Sequence, residues 1–201
     1  MVRNNRTPVI SLALAGATLA LFAVAGSPEV LMLDRTSLVA QPWRLLTGHW
    51  VHLSWNHLLW DGASFAVLAS ALERVSRRRL LAVLGLSSAV ISAAVVLAMP
   101  AVSAYAGLSG LAAALVTAVC VNLIRSGGQD RVIGGILGAA FIAKVVWEQV
   151  AGGVLFATGD DMAHATAVHW IGALVGILSM LPIPGRRTLA TCGSEDRTQP
   201  T

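Results

Sequence analysis

The chain has 201 residues, of which 56% are hydrophobic and 12% are charged, and it contains several apolar runs longer than a soluble core helix needs. This composition indicates one compact, all-α, polytopic membrane domain. The net charge of +4 comes from basic clusters between the apolar runs, which is typical of a topology signal, so we exclude nucleic acid as a partner. The two cysteines, Cys120 and Cys192, are too few for a disulfide framework.

The first predicted membrane helix covers the apolar residues 8–26 and follows a polar segment, residues 1–7. A signal peptide is the alternative, because small residues end the run, although the run is longer than a signal core of about 7–15 residues. The connection at 27–48 contains charged side chains and the pair Trp43-Arg44. It is predicted to be an ordered loop at the membrane surface.

Helix two is predicted at about residues 49–73, and it carries three ionisable side chains: His52, His57 and Asp61. Such groups are costly within a membrane and usually face a cavity or a partner, so they mark this helix as functional. A basic run at 74–79 is predicted to end it.

The other long helices differ in how many ionisable groups they carry. Helix three, at about 80–99, has none and is predicted to be scaffold. Helix five, at about 132–157, carries Lys144 and Glu148, and helix six, at about 162–181, carries His169. Lys144 and Glu148 lie four residues apart and are predicted to form a buried ion pair.

Helix four opens with Gly107-Leu108-Ser109-Gly110 and reaches Arg125 after sixteen residues. At about 1.5 Å per residue this run measures about 24 Å, which is shorter than a hydrocarbon core of about 30 Å. Its N-terminus is therefore predicted to be recessed in a cavity. The unpaired N–H groups there suit an oxyanion that develops beside the Ser109 hydroxyl.

Eleven arginines at the predicted helix ends fall on one side of the membrane, and two, Arg35 and Arg44, fall on the other. The positive-inside rule then places six helices in the plasma membrane with both termini in the cytoplasm. Ser109 opens toward the periplasmic or extracellular side. The membrane domain is predicted at 8–184, and the polar tail at 185–201 is predicted to be disordered.

Counting along each helix to its first cytoplasmic arginine compares the depths of the candidate residues. The count is sixteen or seventeen residues for Ser109, His169, His57 and Glu148, which therefore form one layer. It is thirteen residues for Asp61 and Lys144, which lie about one turn deeper. Within the first layer, His169 is suited to take a proton from Ser109 near neutral pH, which predicts a Ser-His dyad. The Ser109 N–H, His57, His52 and Asp61 are candidates for an oxyanion hole.

Simpler interpretations exist for each residue taken alone. Ser109 could be a packing residue between glycines, and His169 could hydrogen-bond a carbonyl across a helix interface. No metal site is predicted, because His52 and His57 lie five residues apart on different faces of a helix. No cofactor is predicted either.

The motifs, in this order and spacing, resemble the rhomboid intramembrane serine proteases. The resemblance extends from Trp43 to about Gly176. Four short motifs carry it: Trp43-Arg44, His52-x4-His57 with Glu73 closing the helix, Gly107-Leu108-Ser109-Gly110, and His169-x2-Gly172-x3-Gly176.

The resemblance implies a six-transmembrane-helix bundle with a short, recessed fourth helix and an enzyme that cleaves membrane-anchored proteins near the outer leaflet. It implies that Ser109 is the nucleophile, that His169 is the general base, and that His57 and the Ser109 amide form the oxyanion hole. His52 corresponds to a histidine near the cavity mouth. The loop at 27–48 would be membrane-embedded, and helix five with the loop at 157–163 would gate the substrate.

Within the family, Lys144-x3-Glu148-Gln149 and the small size of the chain are similar to the rhombosortase branch. That branch is associated with exported proteins that bear a Gly-Gly motif followed by a C-terminal membrane anchor. Two other functions stay open. One is an inactive rhomboid-like protein that binds and escorts membrane helices, and the other is a small transporter with a proton path along the ionisable groups.

Asp61 departs from the family pattern, which has an asparagine at that position. It is either protonated and donates a hydrogen bond as an amide does, or it is ionised and pairs with Lys144 or a protonated His57. The sequence favours the ionised form, because Lys144 is predicted at the same depth.

Overall fold

Seven α-helices and one small sheet form the described parts of the chain, which in this computed structural model are residues 7–24, 28–152 and 165–181. Two 3₁₀ turns, Pro28–Val30 and Gly48–Trp50, lie in the first connection. The α-helices and strands are α1 Val9–Val24, α2 Arg44–Thr47, α3 Trp55–Val75, α4 Arg77–Ala98, α5 Ser109–Ser126, α6 Gly128–Ala151 and α7 Ala165–Ser179, with β1 Leu33–Asp34 and β2 Ala104–Tyr105.

Helix α5 lies at the centre of the bundle and contacts α3, α4, α6 and α7. Leu111, Ala114, Leu115 and Ala118 on this helix are fully buried. Small residues on α5 let the neighbouring helices approach closely, since membrane helices associate through packing rather than through the hydrophobic effect. The residue that opens α5, Ser109, is therefore held by the most constrained element of the fold.

Helix α1 is joined to α3 through one buried carboxylate. Glu73, near the end of α3, accepts hydrogen bonds from the Ser11 amide and the Ser11 hydroxyl, each at 2.7 Å, and from the Ile10 amide at 3.2 Å. Arg77 lies 3.1 Å from the same carboxylate. These bonds satisfy orphan donors in the first turn of α1 and hold that helix against the bundle.

The connection between α1 and α3 is ordered by the buried Arg44, by the partly buried Arg35 and by the sheet. Arg44 donates to the carbonyls of Glu29 and Met32 and to the side chain of Gln41. Arg35 donates to three carbonyls at the end of α4. The antiparallel pair β1–β2, with Leu33 opposite Tyr105 and Asp34 opposite Ala104, ties this connection to the turn before α5.

Many large apolar side chains point away from the bundle, which is the pattern of a surface that faces lipid rather than water. Among the described residues, three helices are long and apolar enough to cross a membrane, namely α4, α5 and α6, and α1 and α7 are shorter apolar helices. The chain is a multi-pass membrane protein. The most exposed of these apolar side chains include Val24, Val67, Leu97 and Val150.

Several predicted boundaries are wrong for identifiable reasons. Helix two was expected from about residue 49, but α3 begins at Trp55 because Ser54 caps it by accepting a hydrogen bond from the His57 amide at 3.1 Å. The run 74–79 interrupts the helices only around Ser76, whose side chain caps α4. Helix α6 starts before residue 132 and ends at a left-handed Gly152.

Some predictions concern residues outside the described ranges. They are the N-terminal segment before residue 7, the loop at 157–163, the start of helix six at 162, Cys192 and the polar tail at 185–201.

Candidate functional site

A tight turn places Ser109 at the first position of α5. Gly107 has φ of +121°, a conformation that side-chain-bearing residues rarely adopt. Its N–H donates to the Gly48 carbonyl at 3.0 Å, and its own carbonyl accepts from the Tyr105 hydroxyl at 3.0 Å. The turn is thus fixed on both sides, and Ser109 follows it half-buried at the helix N-terminus, where the first N–H groups have no carbonyl partner within the helix.

Helices α5 and α7 touch through glycine. A Cβ atom added to Gly172 would overlap the carbonyl oxygen of Gly110, and one added to Gly176 would overlap that of Ala114. The Thr117 hydroxyl also donates across this interface to the Ala173 carbonyl at 2.9 Å. The backbones therefore approach as closely as two helices can, in the way that small residues at four-residue spacing allow.

This contact brings the segment that carries His169 to the start of α5. Val168 lies against Gly110, since a Cβ atom on that glycine would meet the Val168 side chain at 2.6 Å. His169 follows Val168 and is itself 2% exposed. The two predicted dyad residues thus belong to neighbouring turns of touching helices.

A buried carboxylate lies behind His169. Glu148 on α6 is 1% exposed, and its Oε2 lies 3.2 Å from His169 Nδ1, an ion-pair distance. Its other oxygen, Oε1, accepts a hydrogen bond from Lys144 Nζ at 2.7 Å. Glu148 therefore bridges a histidine and a lysine. The sequence placed Glu148 and His169 at the same depth in the membrane, but the only partner predicted for Glu148 was Lys144.

A second cluster lies on the other side of the Gly107 turn. His57 Nε2 lies 3.2 Å from Asp61 Oδ2, and His52 Nε2 lies 3.7 Å from the same oxygen. A Cβ atom on Gly107 would meet His57 Nε2 at 2.6 Å and Asp61 Oδ2 at 3.1 Å. The cluster therefore touches the backbone just before Ser109.

The premise behind the exclusion of a metal site is wrong. His52 and His57 do not share a helix, because His52 precedes the Ser54 cap and lies in non-helical backbone. The chain turns between them, so both imidazoles face Asp61. Of the two counter-charges considered for Asp61, the structure brings His57 to it, whereas Lys144 contacts Glu148 instead.

A further histidine that the sequence analysis did not select, His49, is fully buried. Its Nε2 lies 3.2 Å from the Ser88 carbonyl and 3.0 Å from the Ser92 hydroxyl, both on α4. Its partners are neutral, and it holds the first connection against α4. His49 is therefore assigned a structural role, and the candidates for proton transfer are the other histidines.

Comparison with known proteins identifies one family. A model of the Rhomboid domain matches residues 39–183, well over half of the chain. The search of curated proteins returned no match.

Proposed function

The chain belongs to the rhomboid family, and from this premise we propose that it is an intramembrane serine endopeptidase that cleaves membrane-anchored protein substrates. One observation carries the proposal: Glu148 Oε2 lies 3.2 Å from Nδ1 of His169, the residue proposed as the general base. A buried carboxylate behind an imidazole fixes the ring and stabilises the imidazolium that forms when the ring accepts a proton.

In the proposed first step, His169 Nε2 takes the proton from the Ser109 hydroxyl while Ser109 Oγ attacks the substrate carbonyl carbon. Because Nδ1 is the ring nitrogen that faces the Glu148 carboxylate, the mechanism requires the tautomer with its proton on Nδ1, in which Nε2 is the basic nitrogen. Glu148 acts here as a positioning residue, because it touches the base and not the substrate. Lys144 holds the other carboxylate oxygen and limits the cost of burying its charge.

The attack converts the carbonyl oxygen into an oxyanion, which needs donors near the start of α5. The Ser109 N–H, at the helix N-terminus where backbone amides lack a carbonyl partner within the helix, supplies one of them. His57 supplies a side-chain donor, since its ring lies against Gly107, two residues before Ser109. Asp61 Oδ2 lies 3.2 Å from the same nitrogen, His57 Nε2, and 3.7 Å from His52 Nε2, so Asp61 positions the His57 ring until the oxyanion forms and attracts the Nε2–H.

The intermediate then collapses, the C–N bond breaks, and the imidazolium of His169 returns its proton to the leaving amine. The substrate acyl group stays on Ser109 Oγ as an ester. Water attacks that ester with His169 again as base, so the second product leaves as a carboxylic acid and the serine is regenerated. The groups around Asp61 are polar enough to admit this water to the membrane interior.

The proposal includes the finer features expected from the sequence: six membrane-spanning helices with a recessed α5, both termini in the cytoplasm, and a site that opens to the periplasmic or extracellular face of the inner membrane. The candidate substrates are exported proteins with a Gly-Gly motif before a C-terminal anchor, as in the rhombosortase branch. The family match is to the rhomboid domain as a whole, so the branch rests on the Lys144-x3-Glu148-Gln149 similarity.

The test is labelling by a serine-reactive fluorophosphonate probe in native membranes. We expect the parent protein to be labelled, and Ser109→Ala and His169→Ala to remain unlabelled at equal protein level. Ser126→Ala, which changes a serine at the far end of α5, is the matched control and should label like the parent. Equal labelling of Ser109→Ala, or an unlabelled parent, would favour the inactive helix-binding alternative.

A further inference from the structure

The cluster formed by His52, His57 and Asp61 has more polar atoms than its contacts satisfy. In the described part of the chain, His52 Nε2 and Asp61 Oδ2 are buried and make no aligned hydrogen bond, even though they lie 3.7 Å apart. His52 is 2% exposed, so water from the surface does not compensate. Buried polar atoms without partners are uncommon and ask for an explanation.

The three ligand atoms lie near the separations that one metal ion requires. With metal–ligand bonds of about 2.0–2.1 Å, neighbouring ligands of a tetrahedral zinc ion are about 3.3 Å apart. In the cluster, Asp61 Oδ2 lies 3.2 Å from His57 Nε2 and 3.7 Å from His52 Nε2, and all three atoms fall within 4.8 Å of one another. Small side-chain rotations therefore suffice to enclose an ion.

The ligand types select the class of ion. Two imidazoles and one carboxylate suit zinc and its neighbours in the first transition row, whereas magnesium and calcium prefer oxygen ligands alone. The carboxylate is also the feature that departs from the family resemblance, which has an asparagine at this position. A neutral amide is a weak ligand, so this substitution turns a pair of histidines into a three-ligand set.

An approach to the cluster is present. A cavity of about 200 Å³ lies between the end of α1 and the segment before α3, and His52 is part of its wall. The remaining lining residues are Leu21, Phe22, Pro28, Val51 and Leu53. An ion in this cavity is separated from the cluster only by the His52 wall, whose side chain is closed to solvent and has to rotate to admit it, and it does not have to cross the tightly packed interface of α5 and α7.

From these observations we infer that His52, His57 and Asp61 form a binding site for a zinc-type transition-metal ion, and that the bound ion inhibits the enzyme. Binding uses the lone pair of His57 Nε2, and the nitrogen then has no N–H to donate to an oxyanion. The ion would also sit against Gly107, at the entrance to the Ser109 turn. The inhibition rests on the proposed protease function, whereas the binding does not.

Binding is tested on the full chain with Ser109→Ala, purified in detergent after chelation. Co²⁺ is the probe, because ligation by imidazole and carboxylate produces visible d–d absorption, and Zn²⁺ should then displace it. We expect Asp61→Asn to weaken binding by more than about 100-fold, since even loss of an outer-shell partner costs about 10–100-fold. Asp130→Asn, at the far end of the bundle in the first turn of α6, should bind like the parent.

His52→Ala provides a second variant, with thermal unfolding used to select folded protein. Metal should raise the unfolding temperature of the parent and of Asp130→Asn only, because an ion that binds the folded state stabilises it. Co²⁺ binding of equal affinity in Asp61→Asn, or no binding by the parent, would overturn the site.

Inhibition is tested separately with the unsubstituted chain, in which Ser109 is intact, as the parent. Zn²⁺ should reduce fluorophosphonate labelling of the parent, and Asp61→Asn should keep its own metal-free labelling rate at the same Zn²⁺ concentration. If Zn²⁺ binds but does not reduce labelling, the inferred metal site stands and the inferred inhibition is wrong. A parent that binds metal but never labels would refute the protease function and leave the site standing.

Discussion

Carboxylates at the two ends of the bundle have different kinds of partner. At the end where α3 meets α4, the two oxygens of Glu73 accept four hydrogen bonds, from two amides, one hydroxyl and Arg77. At the end where α5 begins, Glu148 and Asp61 face histidines at 3.2 Å. At this second end, each carboxylate thus has an imidazole as a partner, whereas none of the four bonds to Glu73 comes from an imidazole.

The difference separates a structural site from a reactive one. Ser11, the amide of Ile10 and Arg77 hold the Glu73 carboxylate in one state, so its burial stabilises the packing of α1 on α3. In the proposed mechanism, Glu148 and Asp61 instead hold groups that gain and lose protons or donate to a transient charge. Polar groups that are poised in this way are typical of catalytic sites.

The sharpest test of the comparison is Ser109→Ala, together with His169→Ala. Each should reduce cleavage of a membrane-anchored substrate by more than about 10⁴-fold, because the parts of a nucleophile–base pair act as a unit. Protein level and membrane insertion should stay near the parent values, since neither change opens a large cavity. Substantial cleavage by either variant would show that the end of the bundle where α5 begins is not the reactive site.

The second test exchanges the two glutamates for glutamine. Glu148→Gln should lower the cleavage rate by about 10²–10⁴-fold, because an amide behind His169 favours the wrong tautomer. Glu73→Gln should instead cost about 1–3 kcal/mol of stability, since the amide cannot accept every bond that the carboxylate accepts. Rates at saturating substrate and thermal unfolding in detergent measure the two effects.

Glu148→Asp is the control for a purely structural role of Glu148. Restoring the carboxylate should recover part of the rate and of the parent pH–rate profile. If Glu148→Gln changed stability and left the rate and its pH profile alone, the two glutamates would be equivalent and the comparison would fail.

The third test concerns the contact that brings His169 to Ser109. Gly172→Ala places a methyl group where the Gly110 carbonyl already lies, and should destabilise the protein by about 1–3 kcal/mol. Gly85→Ala, also within a helix but with no atom within 4 Å of an added Cβ, is the matched control. It should unfold at or slightly above the parent temperature, because alanine favours helix.

Equal unfolding temperatures for the two alanine variants would show that α5 and α7 do not touch through Gly172.

The smallest expected effect belongs to Asp61→Asn. If the carboxylate orients His57 as a counter-charge, its loss should cost about 1 kcal/mol of transition-state stabilisation, or about fivefold in rate. The metal-free rate is compared with that of Asp130→Asn. A rate at or above the parent value would mean that Asp61 acts as a neutral donor, as the family's asparagine does.

The sequence could predict where α5 starts but not which side chains of neighbouring helices contact one another. The start of α5 at Ser109 followed from the glycine-flanked serine and the distance to Arg125, both of which are local. Depth counting placed Glu148 and His169 in one layer. It could not pair them, because helix order and rotation about each axis are set by packing across the whole bundle.

Other contacts carry no periodic signal. The strands β1 and β2 have two residues each, too few for an alternating pattern. The bond from Ser11 to Glu73 joins residues 62 positions apart. The convergence of His52 on Asp61 depended on the cap at Ser54, a short-range signal that was available in the sequence and was not used.

The pairing of β1 with β2 makes the first connection and the nucleophile turn one mechanical part. Leu33 is 1% exposed and opposite Tyr105, and Gly107 is bonded to Gly48, so a displacement of the connection is passed directly to the backbone that presents Ser109. Val39, which is 98% exposed, lies on the same connection. Binding of another molecule to the connection near Val39 is therefore expected to shift the turn before Ser109 without any contact inside the bundle.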